Sequence, residues 1–163
     1  SEGLLVLSGG RNGDVGQHLL AGRESDAEQA LTWWMSRFPE RFYLELQRTG
    51  REYEENYLHA AVTLAARADC PVVATNEVCF LTPDEFDAHE ARVCIGDGRT
   101  LNDPRRPRHF SEQQYLRSPE EMADLFQDIP EAIENTIHIA QRCTVEIELG
   151  KACLLYTSPS PRD

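Results

Sequence analysis

Short apolar runs alternate with helical stripes along this chain of 163 residues. Leu4–Leu7 is an apolar run between Gly3 and Ser8-Gly9-Gly10, and it predicts a buried strand. The glycine-rich GGRNGDVG that follows predicts a tight strand-to-helix turn, then a short helix over about Asp14–Leu20. Ser25 and Glu28 have the spacing of a capping box. They predict a helix over about 26–37 with Ala30, Leu31, Trp34 and Phe38 on its apolar face, ended by Pro39. Trp33 and Trp34 cannot both face inward, so one is expected to be partly exposed. Phe42–Gln47 alternates and is rich in aromatics, which predicts a second strand. A long helix over about 52–67 follows, with Tyr57, Leu58, Ala61, Val62, Leu64 and Ala65 inward and His59 off that stripe.

A third strand is expected in Pro71–Ala74, where Val72, Val73 and Ala74 run into the polar Thr75, Asn76 and Glu77. Thr82-Pro83-Asp84-Glu85 is a second capping box with Pro at the first helical position, and it opens a helix over about 83–95. Residues 96–110 read as a loop kept extended by Pro104 and Pro107. Ser118-Pro119-Glu120-Glu121 is a third box, opening a helix to about Gln127. Another helix runs from about Pro130 to Arg142, with Ile133, Ile137 and Ala140 inward and His138 beside that face. Thr144–Leu149 alternates and reads as a last strand. Strands each followed by helices indicate an α/β class with parallel strands. From about Ala152 the pattern stops, and YTSPSPRD reads as translated adapter sequence. The expected organisation is one domain over 1–151 and a non-native or disordered tail over 152–163.

Composition adds bounds. Apolar content of 40% and charged content of 27% describe an ordinary globular protein. No apolar run reaches the roughly 20 residues of a membrane span. The N-terminus lacks the basic region of a signal peptide and lacks Met, so the chain is expected to begin within a larger protein. A net charge of −12 repels phosphate backbones and makes this piece by itself a poor nucleic-acid binder. Five cysteines without a CxxC pair argue against disulfide scaffolding and a structural zinc site, and suit a reducing cytoplasm. Cys70, Cys94 and Cys143 adjoin apolar residues and are expected to be buried.

Candidate chemistry gathers where the third strand ends. Asn76, Glu77 and Cys79 stand at a rigid strand exit, the place where barrels of alternating strands and helices carry their sites. The glycine-rich loop lacks the spacing and the Lys of a phosphate-binding loop. His89-Glu90 is not HExxH, because Val93 stands where the second His is needed. Arg99, Arg105, Arg106 and Arg108 form a basic island in an acidic chain. They can meet a phosphate or an acidic partner surface, or pair with the chain's own carboxylates.

Several long segments, from RFYLELQRTGREYEENYLHAA through ADCPVVATNEVCFLTPDEFDAHEARVCIGDGRTLNDPRRPRHF to SPEEMADLFQDIPEAIENTIHIAQRC, together with GLLVLSGGRNGDVG at the front, carry a resemblance. They resemble the PHP (polymerase and histidinol phosphatase) domain of bacterial C-family replicative DNA polymerases, over about Gly3 to Lys151. The resemblance implies the later strands and helices of a (β/α)7 barrel, with a first histidine motif upstream and a polymerase domain downstream. Mg²⁺ would serve that polymerase domain, and no cofactor is expected in this piece. Metal-binding members of the family carry Cys after Ser-Gly, His in ELQxHG, and Asp and His in ATNDxHY. The matching positions here are Gly10, Thr49, Glu77 and Cys79. Glycine and threonine cannot replace thiolate and imidazole, and one carboxylate with one thiol falls short of a zinc or manganese ligand set.

The resemblance therefore implies a catalytically silent scaffold with a degenerate metal site. Such a scaffold docks a separate proofreading exonuclease subunit within a replicase holoenzyme, and the intact protein binds DNA through other domains. The alternative reading is a free-standing PHP-type metal-dependent phosphoesterase, which would need the full ligand set.

Overall fold

The computed structural model describes residues 3–146. Strand β1 (Val6–Leu7) passes through a 3₁₀ turn at Gly10–Asn12 into α1 (Asp14–Leu20) and α2 (Glu24–Arg37). Strand β2 (Phe42–Gln47), α3 (Glu54–Ala68) and β3 (Val72–Thr75) follow. A 3₁₀ turn at Pro83–Glu85 runs into α4 (Phe86–Gly96). After an irregular stretch come α5 (Pro119–Leu125) and α6 (Pro130–Arg142). The expected α/β class is present: the three strands form one parallel sheet in the order β1-β2-β3. Among the described residues no helix is long and apolar enough to cross a membrane.

Strand alternation divides the sheet into two chemically different faces. Phe42, Leu44 and Leu46 of β2, with Val72 and Ala74 of β3, join the core built from Val15, Leu31, Tyr57, Leu58, Leu64, Phe126 and Ala132. Burying each large side chain there contributes about 1.5–3 kcal/mol. The register pairs Glu45 with Val73 and Gln47 with Thr75 on the opposite face, and that face carries polar chemistry. Trp34 fills the edge of the core, its ring stacked 5.7 Å from Phe42 and its indole N–H donating to Asp14 Oδ2 at 2.8 Å. Trp33 is the exposed member of the pair, half open to solvent. Helix α1 starts hard against the first turn: a Cβ on Gly16 would lie 2.2 Å from the Gly10 carbonyl oxygen, which only glycine avoids.

Two of the three expected capping boxes form, at Thr82/Glu85 and Ser118/Glu121. Ser25 does not cap: α2 begins at Glu24 with Arg23 at its N-cap and no side-chain capping bond. Glu24 and Asp26 in the first turn complement the helix dipole instead. Helix α6 presents a different face from the one expected. Ile137 is 56% exposed and Ala140 lies outward, while Ala132 is buried and Ile133 packs on the core. Asn135 sets that rotation, because its Nδ2 donates to the Val72 carbonyl at 2.8 Å and fastens α6 to β3. His138 is exposed. Cys70 and Cys94 are buried as expected, but Cys143 caps the exposed end of α6 and is itself exposed. Strand β1 is shorter than its apolar run, with Leu4 more than half exposed. Thr144–Glu146 are irregular and exposed rather than the start of a strand, and among the described residues no strand pairs with them. The remainder of that expected strand, and the tail from Ala152, lie outside the described residues.

Candidate functional site

The exits of β1, β2 and β3 lie side by side, because the strands are parallel and in register. The polar face of the sheet leads into them. Thr75 Oγ1 donates to Glu45 Oε1 at 2.5 Å, and Gln47 Nε2 reaches both Glu45 Oε1 and Thr75 Oγ1 at 3.2 Å. The Gln47 side-chain oxygen, Oε1, is left to accept from Arg51 Nη2 at 3.0 Å.

Each of the positions Gly10, Thr49, Glu77 and Cys79 is accounted for at these exits. Gly10 is buried with φ +56, and a Cβ there would lie 3.1 Å from Gln47 Oε1. Thr49 is wholly enclosed, its hydroxyl donating to Glu54 Oε1 at 2.8 Å and its backbone N–H donating to Glu54 Oε2. The Gly50 N–H adds a third bond to this carboxylate, donating to Glu54 Oε2 at 2.9 Å. Glu77 takes the left-handed backbone region, φ +44, which costs a non-glycine residue about 1–2 kcal/mol. Its carboxylate lies 2.6 Å from Arg51 Nη2. Cys79 donates from Sγ to the Glu77 carbonyl at 3.4 Å. Burial pushes the Cys79 thiol up, and the Glu77 carboxylate pushes it further, so the reactive thiolate is disfavoured.

A segment without regular structure closes over the β3 exit. Asn76 Nδ2 donates to the Gln113 and Tyr115 carbonyls at 3.2 and 2.7 Å. The Cys79 N–H donates to the Gln114 carbonyl at 2.8 Å, and Gln114 Nε2 donates to the Glu77 carbonyl at 3.3 Å. Ser111 Oγ donates to the Thr49 carbonyl. Gln114 is fully buried although its chain neighbours are polar. Arg51, Glu54 and Gln114 are the residues that sequence reasoning missed. Arg51 and Glu54 sit before and at the start of a helix where charge is ordinary, and Gln114 lies in a stretch with no periodicity.

The basic island lies elsewhere. Arg99 Nη1 pairs with Asp103 Oδ2 at 3.2 Å, and Arg105 Nε lies 3.7 Å from Asp103 Oδ1. Arg106 pairs with Glu90, and both side chains are largely enclosed. Arg108 is exposed. His89 of α4 sits between the rings of Phe80 and Phe110, 5.5 and 4.6 Å away. Burial pushes its imidazole down, and Arg92, with Nη2 2.8 Å from Nδ1, adds to this, so the neutral ring is favoured.

Among the described residues the strand-end donors do not by themselves make up a metal ligand set. Among the described residues no three His, Cys, Asp or Glu side chains group as a metal site requires. At the strand ends a guanidinium already stands against the available carboxylates of Glu54 and Glu77. A cation there would face that positive charge, and a thiol at Cys79 that resists ionisation.

Comparison with known proteins places these observations. Residues 1–49 match the PHP domain family. Over 151 residues, 93% of its length, the chain is 59% identical to DNA polymerase III subunit alpha of Pseudomonas aeruginosa. It is 56% identical over the same span to that of Escherichia coli strain K12. It is 52% identical over 150 residues to that of Haemophilus influenzae. The chain spans 13% of the length of each of these relatives.

Proposed function

We propose that this chain is a stretch of the PHP domain of a bacterial DNA polymerase III α subunit, the subunit that carries out DNA-directed DNA synthesis in chromosome replication. The observation that carries the reading is identity of 52–59% sustained over 92–93% of the chain. Within that protein this stretch is a scaffold. It builds strands and helices of the barrel, keeps the strand-end geometry, and lacks the ligands for metal-dependent hydrolysis.

The intact protein would act in the cytoplasm. Its polymerase domain would use Mg²⁺, and its contacts to DNA would come from regions other than this acidic piece. The PHP surface would dock a proofreading exonuclease subunit, with other holoenzyme subunits bound elsewhere. A free-standing phosphoesterase is disfavoured by the chemistry of Gly10 and Thr49, which cannot supply thiolate and imidazole ligands, so that the Glu77 carboxylate and the Cys79 thiol fall short of a ligand set.

The test uses the full reading frame that contains this chain. The purified protein should extend a primed DNA template with Mg²⁺ and co-purify with a proofreading exonuclease. Phosphatase activity that requires Zn²⁺ or Mn²⁺ and disappears on Glu77→Ala, without DNA synthesis, would establish the phosphoesterase instead.

A further inference from the structure

Three elements of the strand-end site converge on one side chain. Arg51 is about nine-tenths buried. Its Nη2 lies 3.0 Å from Gln47 Oε1 at the end of β2, 3.3 Å from Glu54 Oε1 in the first turn of α3, and 2.6 Å from Glu77 Oε2 beyond β3. Fastening separate strand exits through convergent oxygen ligands is what a divalent cation does in a metal centre. A guanidinium does the same here from one nitrogen, Nη2, with a charge that is never lost.

Three of the four substituted positions are the ones that seat it. Glu77, one methylene longer than an aspartate, carries its carboxylate to the guanidinium from a left-handed backbone. Thr49 offers its hydroxyl and N–H to Glu54 and so holds that carboxylate toward Arg51. Glycine at position 10 leaves room for the Gln47 amide, whose oxygen accepts from Arg51; a side chain there would press on it. Cys79 sits outside this set and holds the Glu77 carbonyl through its thiol.

We propose that Arg51 is the built-in cation of the strand-end site: its guanidinium stands in for a divalent metal, joins the exits of β2 and β3 to α3, and makes the cluster independent of metal. The inference rests on the reading of these exits as a former PHP metal site, and it adds what replaced the ion.

Hydrogen exchange followed by mass spectrometry on the full-length protein tests it. In the wild type, exchange in peptides covering 47–55 and 75–80 should be the same with EDTA, Zn²⁺ or Mn²⁺. Arg51→Met should raise it in both peptides by roughly ten-fold, with Arg51→Lys between the two. Glu77→Gln should raise it in the wild-type background and add little once Arg51 is Met. Should Arg51→Met fail to fold, Glu77→Asp decides: the shorter side chain should exchange like Glu77→Gln. Wild-type exchange from Glu77→Asp, or full additivity of Arg51→Met and Glu77→Gln, overturns the role of Arg51. Stoichiometric Zn²⁺ or Mn²⁺ in the wild type, with exchange rising on EDTA, overturns the degenerate-site reading itself, so the two failures are told apart.

Discussion

Arg48 and Asp128, eighty residues apart in sequence, form a two-pronged ion pair, with Nη1–Oδ1 at 2.6 Å and Nη2–Oδ2 at 2.8 Å. The same guanidinium donates to the Leu125 carbonyl at 2.7 Å and lies 5.2 Å from the centre of the buried Phe126 ring. Arg48 thus ties the exit of β2 to the turn between α5 and α6. Its side chain is mostly enclosed while Asp128 is about half exposed. Truncating the two partners should therefore be unequal. Arg48→Met leaves the Leu125 carbonyl and the Phe126 face without a partner, and a loss of about 1–3 kcal/mol is expected. Asp128→Asn removes only a solvent-screened charge, about 0.5–1 kcal/mol. Urea unfolding of the full-length protein, followed through a probe in this domain, would show the order; equal losses would mean that the ion pair alone carries the effect.

The pair also gives a pH dependence. The Arg48 hydrogen bond holds the Asp128 carboxyl below the usual carboxylate range. A carboxyl whose folded value is depressed stabilises the fold fully above its unfolded value, about pH 3.9, and loses that contribution as pH falls through the lower folded value. Stability should therefore decline below about pH 4, and Arg48→Met should flatten this part of the acid limb. Parallel acid titrations of the wild type and Arg48→Met, read by circular dichroism, check the sign. A variant with the same acid limb as the wild type would remove Asp128 from the account.

Most of the scaffold could be read from the sequence because it depends on local pattern. FYLELQ and PVVAT alternate or run apolar, and the stripe Tyr57, Leu58, Ala61, Leu64, Ala65 repeats at helical spacing, so β2, β3 and α3 follow from side chains a few residues apart. Ser118 and Thr82 were legible as caps for the same reason. Ser25 was not, because Glu24 was already able to start the helix one position earlier. The rotation of α6 was hidden, since a bond from Asn135 to a carbonyl sixty-three residues away leaves no trace in the helix's own periodicity. The site was half legible. Gly10, Thr49, Glu77 and Cys79 could be singled out by comparison with a motif. What holds them together, Arg51 against Glu54 and Glu77, is a tertiary convergence that no spacing announces.

Thiol chemistry gives an independent check on burial. Cys70 is enclosed beside β3, and burial pushes its thiol up to about 11. Cys94 is buried, Cys79 is partly covered, and Cys143 is exposed. Iodoacetamide reacts with thiolate, so labelling at pH 8 should take Cys143 first, Cys79 more slowly, and Cys70 and Cys94 only in denaturant. Peptide mapping of the full-length protein over time reads the order. Early labelling of Cys70 would contradict the burial of the turn between α3 and β3.

The basic island separates into arginines that build the loop and arginines that are free to meet something else. Arg106 is held by Glu90 and also donates from Nε to the Leu101 carbonyl at 3.1 Å, while Phe110 at the loop's end packs edge-on to His89. These contacts fasten the loop to α4, so Arg106→Met should raise hydrogen exchange across 97–110 and affect partners only through that disorder. Arg105 is 87% exposed and shares Asp103 with Arg99, and Arg108 is exposed. An acidic partner surface would meet these two at the rim of an interface, where charge acts chiefly on the association rate and its salt dependence. If the proposed docking of a proofreading exonuclease uses this face, reversing both, Arg105→Glu with Arg108→Glu, should slow that association by roughly ten-fold at low salt and leave the protein's melting temperature unchanged. The difference should shrink as salt is raised, because contacts exposed to solvent are screened within about 10 Å at 0.1 M. Surface plasmon resonance across a salt series measures both effects. If association and its salt slope are the same for the double variant and the wild type, these arginines serve only the loop's own acidic residues, and the docking face must be sought elsewhere on the domain.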